Sequence, residues 1–217
     1  MTTPLKTSEE AVSNFLDRFR KVDRSEPVPG LNPQGTALGI AAARQLRELG
    51  HVEIQRGLTE AELARVEQTF GFQFADDHRA FLVAGLPTGP SWPDWRRGDQ
   101  SALRDRLAWP ADGVLFAVEH NGYWHESWGE RPSNRREAVA AAEPNLQNVP
   151  QMVPVFGHRF LPSGRGSYGH PVLSMYQTDI IYYGDDLEDY IHSEFGGPAP
   201  DRGQEPQATV PFWRDFL

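Results

Sequence analysis

Residues 152–195 read MVPVFGHRFLPSGRGSYGHPVLSMYQTDIIYYGDDLEDYIHSEF. The order is strand, Gly/Ser-rich loop, strand, short polar break, strand, helix. Val153, Val155 and Phe156 open the stretch. Pro171 to Tyr176 is a short apolar run, and Ile180-Ile181-Tyr182-Tyr183 is β-branched and aromatic, the composition of strands that pack on something. Gly184 ends the last strand. Asp185 then stands where a helix N-cap belongs, with Glu188 three residues on. Leu187, Tyr190, Ile191 and Phe195 follow at i, i+3, i+4 and i+8, one helical face, and Gly196 occupies the stop position. The pattern predicts an α+β fold, with helices packed against a mixed or antiparallel sheet.

Composition agrees with a packed chain. Of 217 residues, 39% are hydrophobic and 11% aromatic, enough for a buried core. Eighteen prolines and 20 glycines call for many turns, which disfavours a helix bundle. Cysteine is absent, which excludes disulfides, thiolate metal sites and cysteine nucleophiles and fits a cytoplasmic protein. No apolar leader is read near Met1, and no run approaches the roughly 20 apolar residues a membrane helix needs. The net charge of −9 runs against direct nucleic-acid binding, which rests on phosphate contacts from a basic stripe. Tyr176 to Gly196 holds six acidic residues and no Lys or Arg. Those acids either recruit a basic partner or occupy the first turn of a helix, where the macrodipole favours them.

Upstream, Thr7-Ser8-Glu9-Glu10 resembles a capping box, and Val12, Phe15, Leu16 and Phe19 continue it as one stripe. Prolines 27, 29 and 33 break the chain before an alanine-rich helix from about Thr36 to Leu49. Residues 1–57 are read as a helical extension docked on a main domain of residues 58–217. That domain opens with Thr59 as N-cap, Glu62 as its N3 partner, and Leu58 and Leu63 as a hydrophobic staple. Phe72 and Phe74 form a short extended segment, and Asp76 or Asp77 caps a second helix carrying Phe81 and Leu82. Leu86 to Trp109 reads as loop, with one short helix through Leu103 and Leu107. Gly113 to Val118 fits a strand or a helical turn equally. A helix is placed near Asn134 to Ala142, and the final VPFWRDFL carries three aromatics that favour packing back on the domain.

These phrases carry a family resemblance. Leu58 to Gly85, LTEAELARVEQTFGFQFADDHRAFLVAG, resembles the two-helix opening of the SMI1/KNR4, or SUKH, superfamily. Trp92 to Pro132 (WPDW, VEHNG, WGERP) and the stretches VPVFGHRFLP and GHPVLSMYQTDIIYYGDDLEDYIHSEF are similar to one bacterial branch of it. The resemblance implies a SUKH-like α+β domain. It also implies the work of many bacterial members, which are immunity proteins that bind and neutralise toxins exchanged between competing cells. Other members are scaffolds. The superfamily has no catalytic residue set.

The chemistry-bearing residues add little to that. His120 and His125 lie in EHNGYWHE, with His158, His170 and Asp179 downstream, but the spacing is not HExxH and Gly122 argues against a helix there. His158 suits a structural hydrogen bond, and Asp179 suits an Asx-type turn. Gly164 to Gly169 lacks a Walker lysine and reads as a flexible loop. There is no GxSxG. Five tryptophans between Trp92 and Trp128 either fill the core or anchor an interface; Trp92 and Trp95, in the most loop-like context, are expected at the surface. The expectation is therefore a non-enzymatic cytoplasmic protein without cofactor or metal, binding a protein partner such as a basic nuclease-type toxin domain. Trp92, Trp95, Asp179, Asp185, Asp186 and Glu188 are its candidate contacts. A scaffold without a toxin is the first alternative, and a metal-dependent enzyme using His120, His125, His158 and Asp179 is the second.

Overall fold

The computed structural model describes residues 30–197 and 210–217. The helix expected from Thr7 to Phe19, and most of the loop expected across Gly196 to Gly203, lie outside them. Six α-helices and two antiparallel sheets are described, so the chain is α+β. In order, the elements are α1 (Pro33–Leu49), β1 (Glu53–Gln55), α2 (Glu60–Phe70), α3 (Asp76–Ala84), β2 (Leu86–Thr88), α4 (Gln100–His120), α5 (Arg135–Leu146), β3 (Met152–Phe156), β4 (Arg159–Pro162), β5 (Val172–Tyr176), β6 (Asp179–Gly184) and α6 (Leu187–Phe195). A 3-10 turn spans Glu126–Trp128 and another closes the chain at Trp213–Phe216. No described helix is long and apolar enough to cross a membrane.

β3 to β6 form a meander in the order β3-β4-β5-β6. From β3 to Met175 of β5 both of its faces are covered, so those strands carry apolar residues almost without alternation, while β6 is exposed along much of its length. Val153, Val155, Leu161 and Val172 point into a core shared with α1, α2, α3 and α6. Met152, Phe160, Leu173, Met175 and Ile180 point to the other side, against Val114 of α4, Leu146 of α5 and Trp213 of the terminal turn. Trp213 is buried and its indole Nε1 donates to the Pro150 carbonyl at 2.8 Å. β1, inside the region expected as a helical extension, and β2, inside the region expected as loop, form a separate two-stranded pair. The opening strand of the 152–195 stretch is in fact a hairpin, β3 and β4, turned by Gly157 and His158.

Several local signals hold. The capping box at Thr59 is complete: the hydroxyl accepts from the Glu62 N–H, and the Glu62 carboxylate accepts from the Thr59 N–H at 2.8 Å. Asn134 caps α5, accepting from the Arg136 N–H at 2.9 Å. Gly39 of α1 lets that helix lie on α3, since a Cβ there would sit 2.1 Å from the Asp77 carbonyl oxygen. One cap is displaced by a residue. Asp186, not Asp185, caps α6, its Oδ1 accepting from the Glu188 and Asp189 N–H groups at 2.9 and 3.1 Å.

The second helix departs further. Ala75 is the N-cap of α3 and makes no side-chain cap bond. Asp76 and Asp77 are instead fully buried and hold a distant loop. Asp76 accepts from the Asn32 N–H at 2.7 Å and the Gly166 N–H at 3.0 Å. Asp77 accepts from the Gly169 N–H at 2.8 Å. The Gly164–Gly169 segment, expected as a flexible loop, is thus clasped by two carboxylates, and the Asp76 N–H donates back to the Ser167 carbonyl at 2.8 Å. Arg79 in the next turn is also buried, paired with Glu60 and with Glu67 at 3.2 Å, and Glu67 reaches Arg165 of the loop at 2.7 Å.

Candidate functional site

The expected contact residues do not form one surface. Trp92 is a core residue, 7% exposed, with its ring stacked on Phe195 at 5.5 Å and against Phe156 at 4.8 Å. Trp95 is 3% exposed and meets the edges of Phe70, Phe72 and Phe74. Their proline-rich context is a tight wrap over the first core, so their expected exposure is corrected.

The acid-only stretch is also largely built in. Asp186 is buried as a helix cap, and the Asp185 N–H donates to the Asp189 carboxylate at 2.9 Å. Glu188 is half-buried beside Arg44; burial raises its pKa and the Arg44 charge opposes the rise. Glu194 lies 3.2 Å from the Arg159 Nε. Arg159 itself is buried, donates to the Ser174 Oγ at 3.1 Å and sits 3.7 Å above the Tyr183 ring. Asp186 and Asp189 thus act at the start of α6 itself, and Glu194 ties the helix to β4. Of the expected contacts, Asp179 stands exposed, at the start of β6.

The histidines fall in separate settings. His120 lies against Phe116 and Glu119; His125 joins Ser127 Oγ at 2.8 Å and Asp215 at 3.2 Å. His158 contacts Arg159. No three His, Asp or Glu side chains converge as a metal site among the described residues. Ser127, His125 and Asp215 form a hydrogen-bonded chain, but Nδ1 of His125 also accepts from the Ser127 N–H at 3.3 Å, which is the geometry of a local turn cap.

A different surface emerges around α4. Asp99 caps this helix through the Ala102 N–H at 2.9 Å, and the helix runs 21 residues through Pro110. Leu103, Leu107, Pro110, Val114, Ala117 and Val118 make its buried stripe, which settles the ambiguity over Gly113 to Val118 in favour of helix. The opposite stripe is unusual: Asp105, Trp109, Asp112 and Phe116 recur at i, i+4, i+7 and i+11, all exposed. Trp109 is 47% exposed and Phe116 44%. The neighbouring cations are turned away: Arg104 lies over Phe70, and Arg106 donates to the Ser91 and Gly157 carbonyls.

The β5–β6 hairpin adds to this stripe. Gly113 lets its tip press on α4, for a Cβ there would lie 2.8 Å from the Gln177 Cα. Trp109 donates its indole N–H to the Met175 carbonyl at 3.2 Å and its ring lies 6.4 Å from that of Tyr176. Tyr176 pairs with Asp179, and Ile181 lies diagonally across on the same sheet face. Tyr176 and Ile181 are each more than half exposed. Partial desolvation, with the repulsion of Asp105 added, raises the Asp112 pKa although its side chain is exposed. No lysine or arginine occurs from Leu107 to Glu130 or from Gly166 to Asp201. The site is therefore an aromatic and aliphatic surface bordered by carboxylates, without a deep cavity. A hollow of about 240 Å³ elsewhere on the chain is an open groove along Phe70, Arg104 and Gln151.

Fold and site define the class: an α+β protein presenting an exposed aromatic–acidic surface. No family model, no curated protein and no solved structure matches the chain.

Proposed function

We propose that this chain is a non-enzymatic protein-binding module of the cytoplasm, of the SMI1/KNR4 (SUKH) kind, acting as an immunity protein that occludes a basic toxin domain. The observation that supports the reading is the surface shared by α4 and the β5–β6 hairpin. Large rings and an isoleucine left in water are the side chains that anchor interfaces, and carboxylates around them complement a cationic partner. The contacts are Trp109, Phe116, Tyr176 and Ile181 at the centre, with Asp105, Asp112 and Asp179 at the border. Trp92, Trp95 and the α6 acids support the surface from within the fold.

Co-expression with the toxin domain encoded beside the gene tests the reading. Wild type restores growth, and Trp109→Ala combined with Asp112→Asn loses the rescue while its thermal transition stays near that of wild type. Growth inhibition that wild type does not relieve, for any neighbouring toxin, defeats the immunity reading.

A further inference from the structure

Trp109 is exposed yet held in place. Its one polar atom, the indole N–H, is engaged by the Met175 carbonyl at 3.2 Å, and Gly113, one turn on, lets the hairpin that carries Met175 press against α4. What the side chain offers to another molecule is therefore its ring. Tyr176 bounds that ring on the hairpin side, tilted 54° to it at 6.4 Å. Phe116 differs: it has no polar atom to fix it, and the His120 ring already lies 4.4 Å from its own.

Carboxylates stand on both sides of Trp109. Asp105 lies four residues before it and Asp112 three after, so each is its neighbour on the helix surface, about 5–6 Å away between Cβ atoms. Asp179 stands opposite Tyr176 in the hairpin. Partial desolvation and the repulsion of Asp105 raise the Asp112 pKa, and a cation held between the two acids would relieve that repulsion. The molecule uses the same combination once within itself. The Arg159 guanidinium lies 3.7 Å above the Tyr183 ring, with a Glu194 carboxylate oxygen 3.2 Å from its Nε. There the ring, the acid and the arginine all belong to the chain. On α4 the ring and the acids face outward, and the two arginines of the helix are turned elsewhere, Arg104 over Phe70 and Arg106 to the Ser91 and Gly157 carbonyls.

We infer that Trp109 is the seat of one arginine side chain of the protein partner, stacked on the exposed indole face between Asp105 and Asp112. This rests on the binding reading above and names the side chain that the surface recognises. A guanidinium is planar and weakly hydrated, so it leaves water readily to lie flat on a ring. A lysine ammonium is compact and strongly hydrated, and it gains less from the same face. The carboxylates are exposed, so they attract either cation about equally, and the ring makes the choice.

The test follows the Trp109 indole N–H by NMR in the full chain, with the blocked peptide acetyl-Gly-Arg-Gly-amide and its counterparts carrying lysine or citrulline in the middle. Citrulline keeps the shape of arginine and lacks its charge. Loss of the signal in Trp109→Leu identifies it. The arginine peptide is expected to shift that signal, and to bind about 3-fold tighter than the lysine peptide and about 10-fold tighter than the citrulline peptide, the size of an exposed cation–ring contact beside acids. Asp105→Asn combined with Asp112→Asn is expected to weaken the arginine and lysine peptides together, by about 3-fold, and to keep their ratio. The wild-type series decides the matter without any variant. Equal binding of arginine and lysine reduces the site to a diffuse negative field and overturns the inference. Citrulline binding as tightly as arginine overturns it, as does an indole signal that no peptide moves at millimolar concentration. In those cases a loss of growth rescue by Trp109→Ala with Asp112→Asn still supports the binding reading. Arginine selectivity in a chain that rescues against no neighbouring toxin supports the inference and defeats the immunity reading alone.

Discussion

Asp77 and His78 are neighbours in the chain, and the same burial drives their protons in opposite directions. Desolvation disfavours the charged form of each, raising Asp77 from 3.8 to about 6 and lowering His78 from 6.5 to about 3. For Asp77 the folded state binds its proton more tightly than the unfolded state. Its contribution is full below about pH 4 and is lost as pH rises to about 6. For His78 the folded state binds the proton less tightly. Its contribution is full above about pH 6.5 and is lost as pH falls toward 3. The two oppose one another between about pH 4 and 6, so stability should change little across that window and fall steeply below it, where His78 alone still titrates. Nδ1 of His78 is buried without a hydrogen-bond partner, so no bond at that atom is forfeited by replacing the ring. His78→Leu is therefore expected to retain a few kcal/mol more of its pH 7 stability than wild type on acidification to pH 3.5, a loss set by the His78 shift. Urea unfolding of both proteins at pH 7 and 3.5 measures the difference; an equal acid loss in the two would assign the lability to another group.

At the scale of elements, the contact between α4 and the β5–β6 hairpin is structural and also supports the proposed binding surface. A glycine in a helix interior costs about 1 kcal/mol relative to alanine, so Gly113→Ala is stabilising on propensity alone. Here the added methyl would meet the backbone of Gln177, which cannot rotate away as a side chain could. Gln177 is already held at φ +55°, so the turn has little room to yield. The expected net effect is a loss of about 1–3 kcal/mol in thermal or urea unfolding, the range of an overpacked core site. Little of this surface was legible in the sequence. Local chemistry was: Thr59, Glu62, Asn134 and the Leu187–Phe195 face act through neighbours within a turn, and their signals survive in one dimension. Pro110 concealed α4, because a proline reads as a break, although here it sits in the buried stripe that holds the helix on the core. Trp92 and Trp95 were misplaced because a proline-rich wrapper over a core has the composition of an exposed loop. Asp76 and Asp77 passed for caps because their real partners, Gly166 and Gly169, lie about ninety residues away.

For the molecule as a whole, charge and anchors are separable contributions to the proposed interface. The net charge of −9 biases long-range encounter with a cationic protein, while Trp109, Phe116, Tyr176 and Ile181 act once surfaces touch. Long-range forces appear in the association rate and fade with a Debye length of about 8 Å at physiological ionic strength; contact energies appear in dissociation. Stopped-flow or surface-based kinetics with the proposed basic partner can divide them. Asp105→Asn, Asp112→Asn and Asp179→Asn combined should slow association about 10-fold at low salt and flatten its salt dependence, with a smaller effect on dissociation. Trp109→Ala with Phe116→Ala should leave association within about twofold and speed dissociation by two orders of magnitude or more, as loss of central aromatic anchors does. The neutralised acids lie on exposed positions of α4 and at the exposed start of β6, so that variant should unfold near the wild-type midpoint. If removing the rings slows association while removing the acids speeds dissociation, the assignment of steering to the carboxylates and holding to the aromatics is reversed. If neither variant alters either rate, the partner docks on another face.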